Sequence, residues 1–390
     1  VQLTRLRIVV TGFFALDGFL FGNWVVCVPQ IKAQVGASSG GLGLALLGIS
    51  FGAVVTMMLA ARLCSRFGSR AITVLSATLM SAAVMLPAQT TSVAGLGATL
   101  LLFGAGFGGL NVAINSLAVD IVGHAGRPMM PSFHAAFSFG GLAGSVVGGV
   151  IASALSASIH LTAVGLFGLA VTAVLSTNLL RSRPLQPAPP PTQAPQLERN
   201  AARERWAGRP RRLIAVFGVI AFCSAYGEGA LADWGALHLH SDLHASIGLA
   251  AAGYAAFSAA MVVGRSSGTW LLGRAGRTVV LSAGALTAAV GMLVAALVPV
   301  LAIAIVGFMI VGLGLANLFP AAVGQAGALM GPSGVAAAST IGYCGLLAGP
   351  PIIGFLAERT SLPAALTTIA LLAAIAAAVA MLARHAADPV

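Results

Sequence analysis

The chain repeats itself. Asn23-Trp24, late in the first long apolar run, returns about 210 positions on as Asp233-Trp234, and the basic turn Arg66-Phe67-Gly68-Ser69-Arg70 returns as Arg274-Ala275-Gly276-Arg277-Thr278. The correspondence continues in Gly106-Phe107-Gly108-Gly109-Leu110-Asn111 against Gly312-Leu313-Gly314-Leu315-Ala316-Asn317, and in Leu142-Ala143-Gly144 against Leu347-Ala348-Gly349. A duplicated, wholly apolar unit predicts two pseudo-symmetric membrane-embedded halves, the build of carriers that move a solute past a central site.

With 58% hydrophobic and 7% charged residues the chain cannot use a water-soluble fold, where about a quarter of residues are charged. Apolar runs long enough to cross a bilayer follow one another throughout. Twelve are read, roughly 6–30, 40–61, 71–88, 93–121, 133–155, 158–180, 213–237, 246–272, 277–297, 299–325, 333–357 and 362–384. The first, although it follows Arg5 and Arg7, is read as helix one and not as a signal peptide, because it is long and contains Asp17. The expected fold is therefore an all-α integral membrane protein with twelve transmembrane helices in two six-helix bundles. The bundles span 1–180 and 213–390, joined by a Pro- and Arg-rich linker over 181–212 that rests on anionic headgroups and has an amphipathic surface helix over 197–209 as one option.

A net charge of +11 raises the question of nucleic acid, but its distribution answers otherwise. With a cytoplasmic N-terminus, all of the 20 Lys and Arg residues except Lys32 and Arg359 lie on the cytoplasmic side, which is the positive-inside pattern with both termini inside. Cys27, Cys64, Cys223 and Cys344 are scattered and expected to be free thiols.

Costly polar residues mark the functional helices, since an intramembrane charge costs about 2.5–3.5 kcal/mol on insertion scales. They fall on every third span: Asp17 and Asn23 in span one, Asn111 and Asn115 in span four, Glu228 and Asp233 in span seven, Asn317 in span ten. Spans two, six, nine and twelve look bland. Asp17, Asn111 and Asn317 fall near mid-depth by helical rise. Glu228 and Asp233, five apart, diverge by roughly 140° on an unbroken helix, and a break at Gly227 and Gly229 relieves that limit. Glu228, Asp17 and Asp233 are the proton-coupling candidates, because apolar surroundings disfavour the charged form of a carboxyl. Asp233 is equally suited to a gate. Asn23, Trp24, Asn111, Asn115, Trp234, Asn317, His134 and Tyr343 are the candidate solute-binding residues. Asp120, at the inner end of span four, is read as pairing with a cytoplasmic Arg, and Arg265 as an anchor. His238, His240, Asp242 and His244 have a spacing open to a zinc-like ion but are read as a solvated loop, with no metal or cofactor assigned. Nucleotide-binding and hydrolase motifs are missing, so the chain is expected to be no enzyme and to draw on a gradient.

The turn Ala61–Arg70 resembles the signature loop of the major facilitator superfamily, Gly-x-x-x-Asp-Arg-x-Gly-Arg-Arg, keeping Arg66, Gly68 and Arg70 but with Ala61, Ser65 and Ser69 at the first Gly, the Asp and one Arg. Its second copy keeps Gly268, Arg274, Gly276 and Arg277 and has Gly273 for the Asp. The resemblance covers essentially the whole chain and implies that these residues, with Asp120, gate the inner side, weakened by the lost carboxylates. Gly106–Asn115, Met129–Gly144 with His134, Glu228–Trp234 and Gly342–Glu358 with Gly349-Pro350-Pro351 resemble the fucose-permease-like branch of bacterial inner-membrane transporters. That branch implies a cavity lined by spans one, four, seven and ten and a titrating Glu in span four, where this chain has Asn111. Coupling is then expected to move to Glu228 or Asp17. Gly140-x-x-x-Gly144-Ser145-x-x-Gly148-Gly149 resembles the antiporter motif with Ser145 in place of Pro. The expected activity is proton-coupled symport of a small, sugar-like solute by a monomer in the bacterial inner membrane, its partners being the solute, protons and lipids, without nucleic acid. Export of a drug or secondary metabolite is the alternative, and a non-transporting receptor of the same fold a more distant one.

Overall fold

The computed structural model describes residues 2–125, 130–181 and 209–383. Most of the expected linker, including all of the 197–209 segment but its last residue, lies outside them. Twelve candidate spans are present, long and apolar enough to cross a membrane. The helices are α1 (Gln2–Gln34), α2 (Ser39–Phe67), α3 (Ser69–Ala83), α4 (Val93–Ala125), α5 (Met130–Ala152) and α6 (Ala157–Arg181). They continue as α7 (Arg209–Ser241), α8 (Ile247–Ala275), α9 (Arg277–Leu297), α10 (Leu301–Leu315), α11 (Leu318–Arg359) and α12 (Leu362–Leu382). Helix α10 and the start of α11 make the tenth span, and the rest of α11 carries the eleventh. Alternation puts the start of α1 and the end of α12 at one end of the bundle, here the near end. Lys32 and Arg359 both sit in last turns at the far end.

Several of the described helices are stopped by local chemistry. Ser38 and Ser246 accept hydrogen bonds from Gly41 N and Leu249 N and so cap α2 and α8 at the far end. At the near end the duplicated basic turn reverses the chain at Gly68 and Gly276, with φ of 84° and 77°, a region glycine enters without the Cβ clash other residues meet. This is why the repeat preserves a glycine there. Helices α10 and α11 part at Ala316–Asn317, just before Pro320, whose ring removes the N–H that would have bonded across the break.

Packing is heaviest for α1 with α5, α2 with α4, and α7 with α11, and across the first and last six helices it runs through α5 with α8 and α2 with α11. Small residues permit this closeness, since helices in lipid associate through backbone approach more than through a hydrophobic drive. Among the described glycines, Gly40, Gly43, Gly149, Gly248 and Gly354 press against the other half, all in the far half of the bundle. A Cβ on Gly43 would lie 2.6 Å from the Pro350 carbonyl oxygen, and one on Gly149 2.8 Å from Ala251 Cβ. The Glu358 carboxylate at the end of α11 lies against Gly40 at the start of α2, so a negative charge from across the seam faces the α2 N-terminus. The far end is closed by these contacts.

Candidate functional site

Glu228 stands on α7 at mid-depth, where no bulk water reaches a carboxylate from the bilayer side. Its Oε2 is 3.0 Å from Arg265 Nη2 on α8, and its Oε1 accepts from Ser224 Oγ at 3.3 Å. Arg265 Nη1 donates to Ser138 Oγ on α5 at 2.9 Å. The Glu228 side chain nevertheless keeps 26% of its surface exposed, so it borders an open internal space and is not sealed. Tyr254, beside Ser258, is near enough to feel Glu228, Arg265 and Asp233 electrostatically, Tyr343 on α11 feels Glu228, and His134 on α5 feels Arg265. His134 also stands edge-on to Phe14 with centroids 5.6 Å apart, and Tyr343 lies against Phe319. The cluster offers a carboxylate, a guanidinium, hydroxyls and aromatic faces around one cleft, a set suited to a solute that both donates and accepts hydrogen bonds.

Arg265 is therefore no lipid anchor. It lies far enough along α8 to meet α7, and burial there demands the partner that Glu228 provides. Helix α7 is also unbroken through Glu228. A Cβ at Gly227 would sit 2.9 Å from Leu315 Cδ1, and one at Gly229 2.5 Å from Leu346 Cδ1. These glycines make room for α10 and α11 and do not unwind the helix. The break lies instead in span ten, where Asn317 stands at the start of α11 without capping it and donates its amide to Gly264 O at 2.9 Å.

The remaining sequence candidates are distributed. Asp17 is fully buried with both carboxyl oxygens lacking a hydrogen-bond partner, and Asp233 is 7% exposed. Trp24 and Trp234 are fully buried with unpartnered ring N–H groups; Trp24 leans on Phe103 and Trp234 reaches Gly354. Asn115 Nδ2 donates to Asn111 O at 2.8 Å, and both side chains stay partly exposed. Asn23 is drawn into a different network. Its Nδ2 donates to Phe19 O at 2.9 Å and its Oδ1 accepts from His160 Nε2 at 2.8 Å, while His160 Nδ1 meets Cys27 Sγ at 3.2 Å. His160 thus bridges the two α1 side chains, one through each ring nitrogen. His160 makes α6, expected to be bland, a clamp on α1.

At the near end Ser65 Oγ donates to Arg62 O at 2.8 Å, within its own turn, and Ser69 Oγ is 3.0 Å from Ser116 Oγ on α4. Asp120 is close enough to Arg70 to act on it, while Arg66 and Arg274 lie over the Phe67 and Trp270 rings. Arg277 opens α9 directly after Gly276. At the far end His238 bonds Asp242 Oδ2 at 2.8 Å and Ala295 O at 3.1 Å, and His240 bonds Ala245 O at 2.8 Å. These imidazoles hold the α7–α8 turn in place.

The model of the Major Facilitator Superfamily matches residues 9–341. The chain belongs to that superfamily. An uncharacterized transporter of the superfamily from Yersinia pestis is 34% identical over 92% of this chain and 91% of its own. Membrane protein MosC of Rhizobium meliloti is 29% identical over 94% of this chain and 87% of its own. Among solved structures, a bacterial homologue of the human lysosomal transporter Spinster, inward-facing and unoccupied, superposes with a TM-score of 0.78 at 16% identity, covering 99% and 98% of the two chains. The nucleoside transporter NupG, in a point-mutant form, superposes at 0.75 with 15% identity over 97% and 99%. At those identities the likeness shows the fold alone; the family match and the curated relatives make the chain a membrane transporter of a small solute and not an enzyme.

Proposed function

We propose that this major facilitator carries a small, hydroxyl-rich polar solute, sugar-like in chemistry, together with protons across a bacterial inner membrane. The two six-helix halves rock about the Glu228 cleft, exposing it to one side and then the other. The observation that carries this reading is the Glu228–Arg265 pair: an intramembrane carboxylate with a quarter of its surface on the cleft and a guanidinium, two tyrosines and serines around it. A carboxyl so placed can take a proton from the cleft, and the surrounding donors and acceptors match hydroxyl groups better than they match an anion. Asp17, buried and unpartnered, is the second proton acceptor in this reading, and Asp233 the third. A nucleoside is itself rich in hydroxyls, which agrees with the fold neighbour NupG. In this reading the charge distribution makes the near end cytoplasmic, so the far end, where the halves meet, faces outward.

The test is uptake into proteoliposomes under an imposed pH gradient, using sugars, polyols and nucleosides as the panel. Glu228→Gln abolishes gradient-driven accumulation while leaving solute exchange at equal pH. Driven accumulation at the wild-type rate in Glu228→Gln rules Glu228 out as the coupling group.

A further inference from the structure

Arg265 reaches two partners of different kinds on two sides of a seam. Nη2 is held at 3.0 Å by the Glu228 carboxylate on α7, and Nη1 donates at 2.9 Å to the Ser138 hydroxyl on α5. Ser138 is 5% exposed and the Arg265 side chain 13%, so water competes little for either bond. The charged partner fixes the guanidinium; the neutral bond depends on where the guanidinium is fixed. Helices α5 and α8 run antiparallel along the seam between the halves, meeting at Gly149 with Gly248 and Ala251 near the far end and at Gly141 with Tyr254 and Ser258 at mid-depth. Ser138 with Arg265 extends that line toward the near end. The groups that face the pair are Ser224 from α7, Tyr254 from α8, His134 from α5 and Tyr343 from α11, with Ser258 and Asp233 acting on Tyr254 in turn.

We propose that Arg265 makes the α5–α8 seam responsive to the charge on Glu228, with Ser138 as its receiving group in the other half. While Glu228 is ionised, the carboxylate holds the guanidinium so that Nη1 is delivered to Ser138. When a proton forms an O–H bond on the carboxylate, or a solute hydroxyl takes over Nη2, the guanidinium loses its charged anchor and α5 loses its bond to α8. Arg265 and Ser138 are then positioning residues. The inference rests on Glu228 as the proton acceptor and adds what that reading lacks, the route by which its state reaches the opposite half.

The experiment is a double-mutant cycle on the conformational equilibrium in lipid nanodiscs at pH 8. Nitroxides on Thr91→Cys and Pro299→Cys, in far-end turns of opposite halves, report far-end opening by pulsed electron resonance, in a background with Cys64→Ser and Cys344→Ser. In Glu228 protein, Ser138→Ala shifts the open-to-closed ratio toward open by roughly tenfold, the scale of a hydrogen bond to a charged group. In Glu228→Gln protein the same change shifts it by less than about twofold, and Ser138→Thr, which keeps the hydroxyl, stays within about twofold of wild type. Equal shifts in both backgrounds, or no shift in either, overturn the proposal. Gradient-driven uptake by Glu228→Gln reports separately on proton coupling. Additive Ser138 effects with lost coupling sink the seam alone, and non-additive effects with intact coupling sink the proton reading alone.

Discussion

Replacing Arg265 with Met keeps an unbranched side chain of similar length and removes the positive charge. Two charge-assisted bonds go, at 3.0 Å to Glu228 and 2.9 Å to Ser138, and Glu228 is left with Ser224 at 3.3 Å. Breaking a sealed ion pair by removing one partner costs about 3–5 kcal/mol, most of it the uncompensated remaining charge. Glu228 has 26% of its side-chain surface on the cleft, so solvent screening lowers the expected loss to roughly 2–3 kcal/mol. The second substitution carries the logic. Glu228→Gln on top of Arg265→Met removes the stranded charge while keeping a group that can bond Ser224, so the double variant returns to within about 1 kcal/mol of wild type. Reversible unfolding by denaturing detergent in mixed micelles, followed by tryptophan fluorescence, measures all three variants against wild type. A double variant as unstable as Arg265→Met refutes the assignment of Glu228 as the charge that Arg265 neutralises. So does an Arg265→Met protein with unaltered stability.

Other consequences follow from the packing. His160→Ala orphans the Cys27 thiol and the Asn23 carbonyl oxygen in a fully buried site and is expected to lower stability by ~2–4 kcal/mol without altering solute affinity, as unfolding and equilibrium binding on the same preparation will show. Gly43→Leu cannot coexist with the Pro350 carbonyl across the α2–α11 seam, so the far end is expected to open and Thr91→Cys/Pro299→Cys label distances to lengthen. Unchanged distances would place the closing contact elsewhere.

Much of the fold was legible because it is written in long, one-dimensional signals: apolar runs of bilayer length, a duplicated turn, and basic residues on alternate connections. The duplicated basic turn was legible as a turn, and the structure adds that its Gly68 and Gly276 take positive φ. Glu228 was legible as an intramembrane charge. Its partner was not, because the pairing of Arg265 with α7 and of Ser138 with α8 depends on which helix faces meet, and spacing along one helix does not encode that. The flanking glycines misled for the same reason, since Gly227 and Gly229 serve the approach of Leu315 and Leu346 from other helices. Pro320 did carry a local signal for the break at Asn317. His160, a lone imidazole at the start of a bland span, gained its meaning only from the Asn23 and Cys27 side chains that α1 brings to it.

The central claim is that solute and proton move together through the Glu228 cleft. Proteoliposomes loaded with a pH-sensitive dye and given an inward solute gradient, with no initial pH difference, measure this directly. Solute entry should acidify the lumen in wild-type vesicles, and Glu228→Gln vesicles should admit solute without acidification. Solute entry with an unchanged or rising internal pH in wild type contradicts symport.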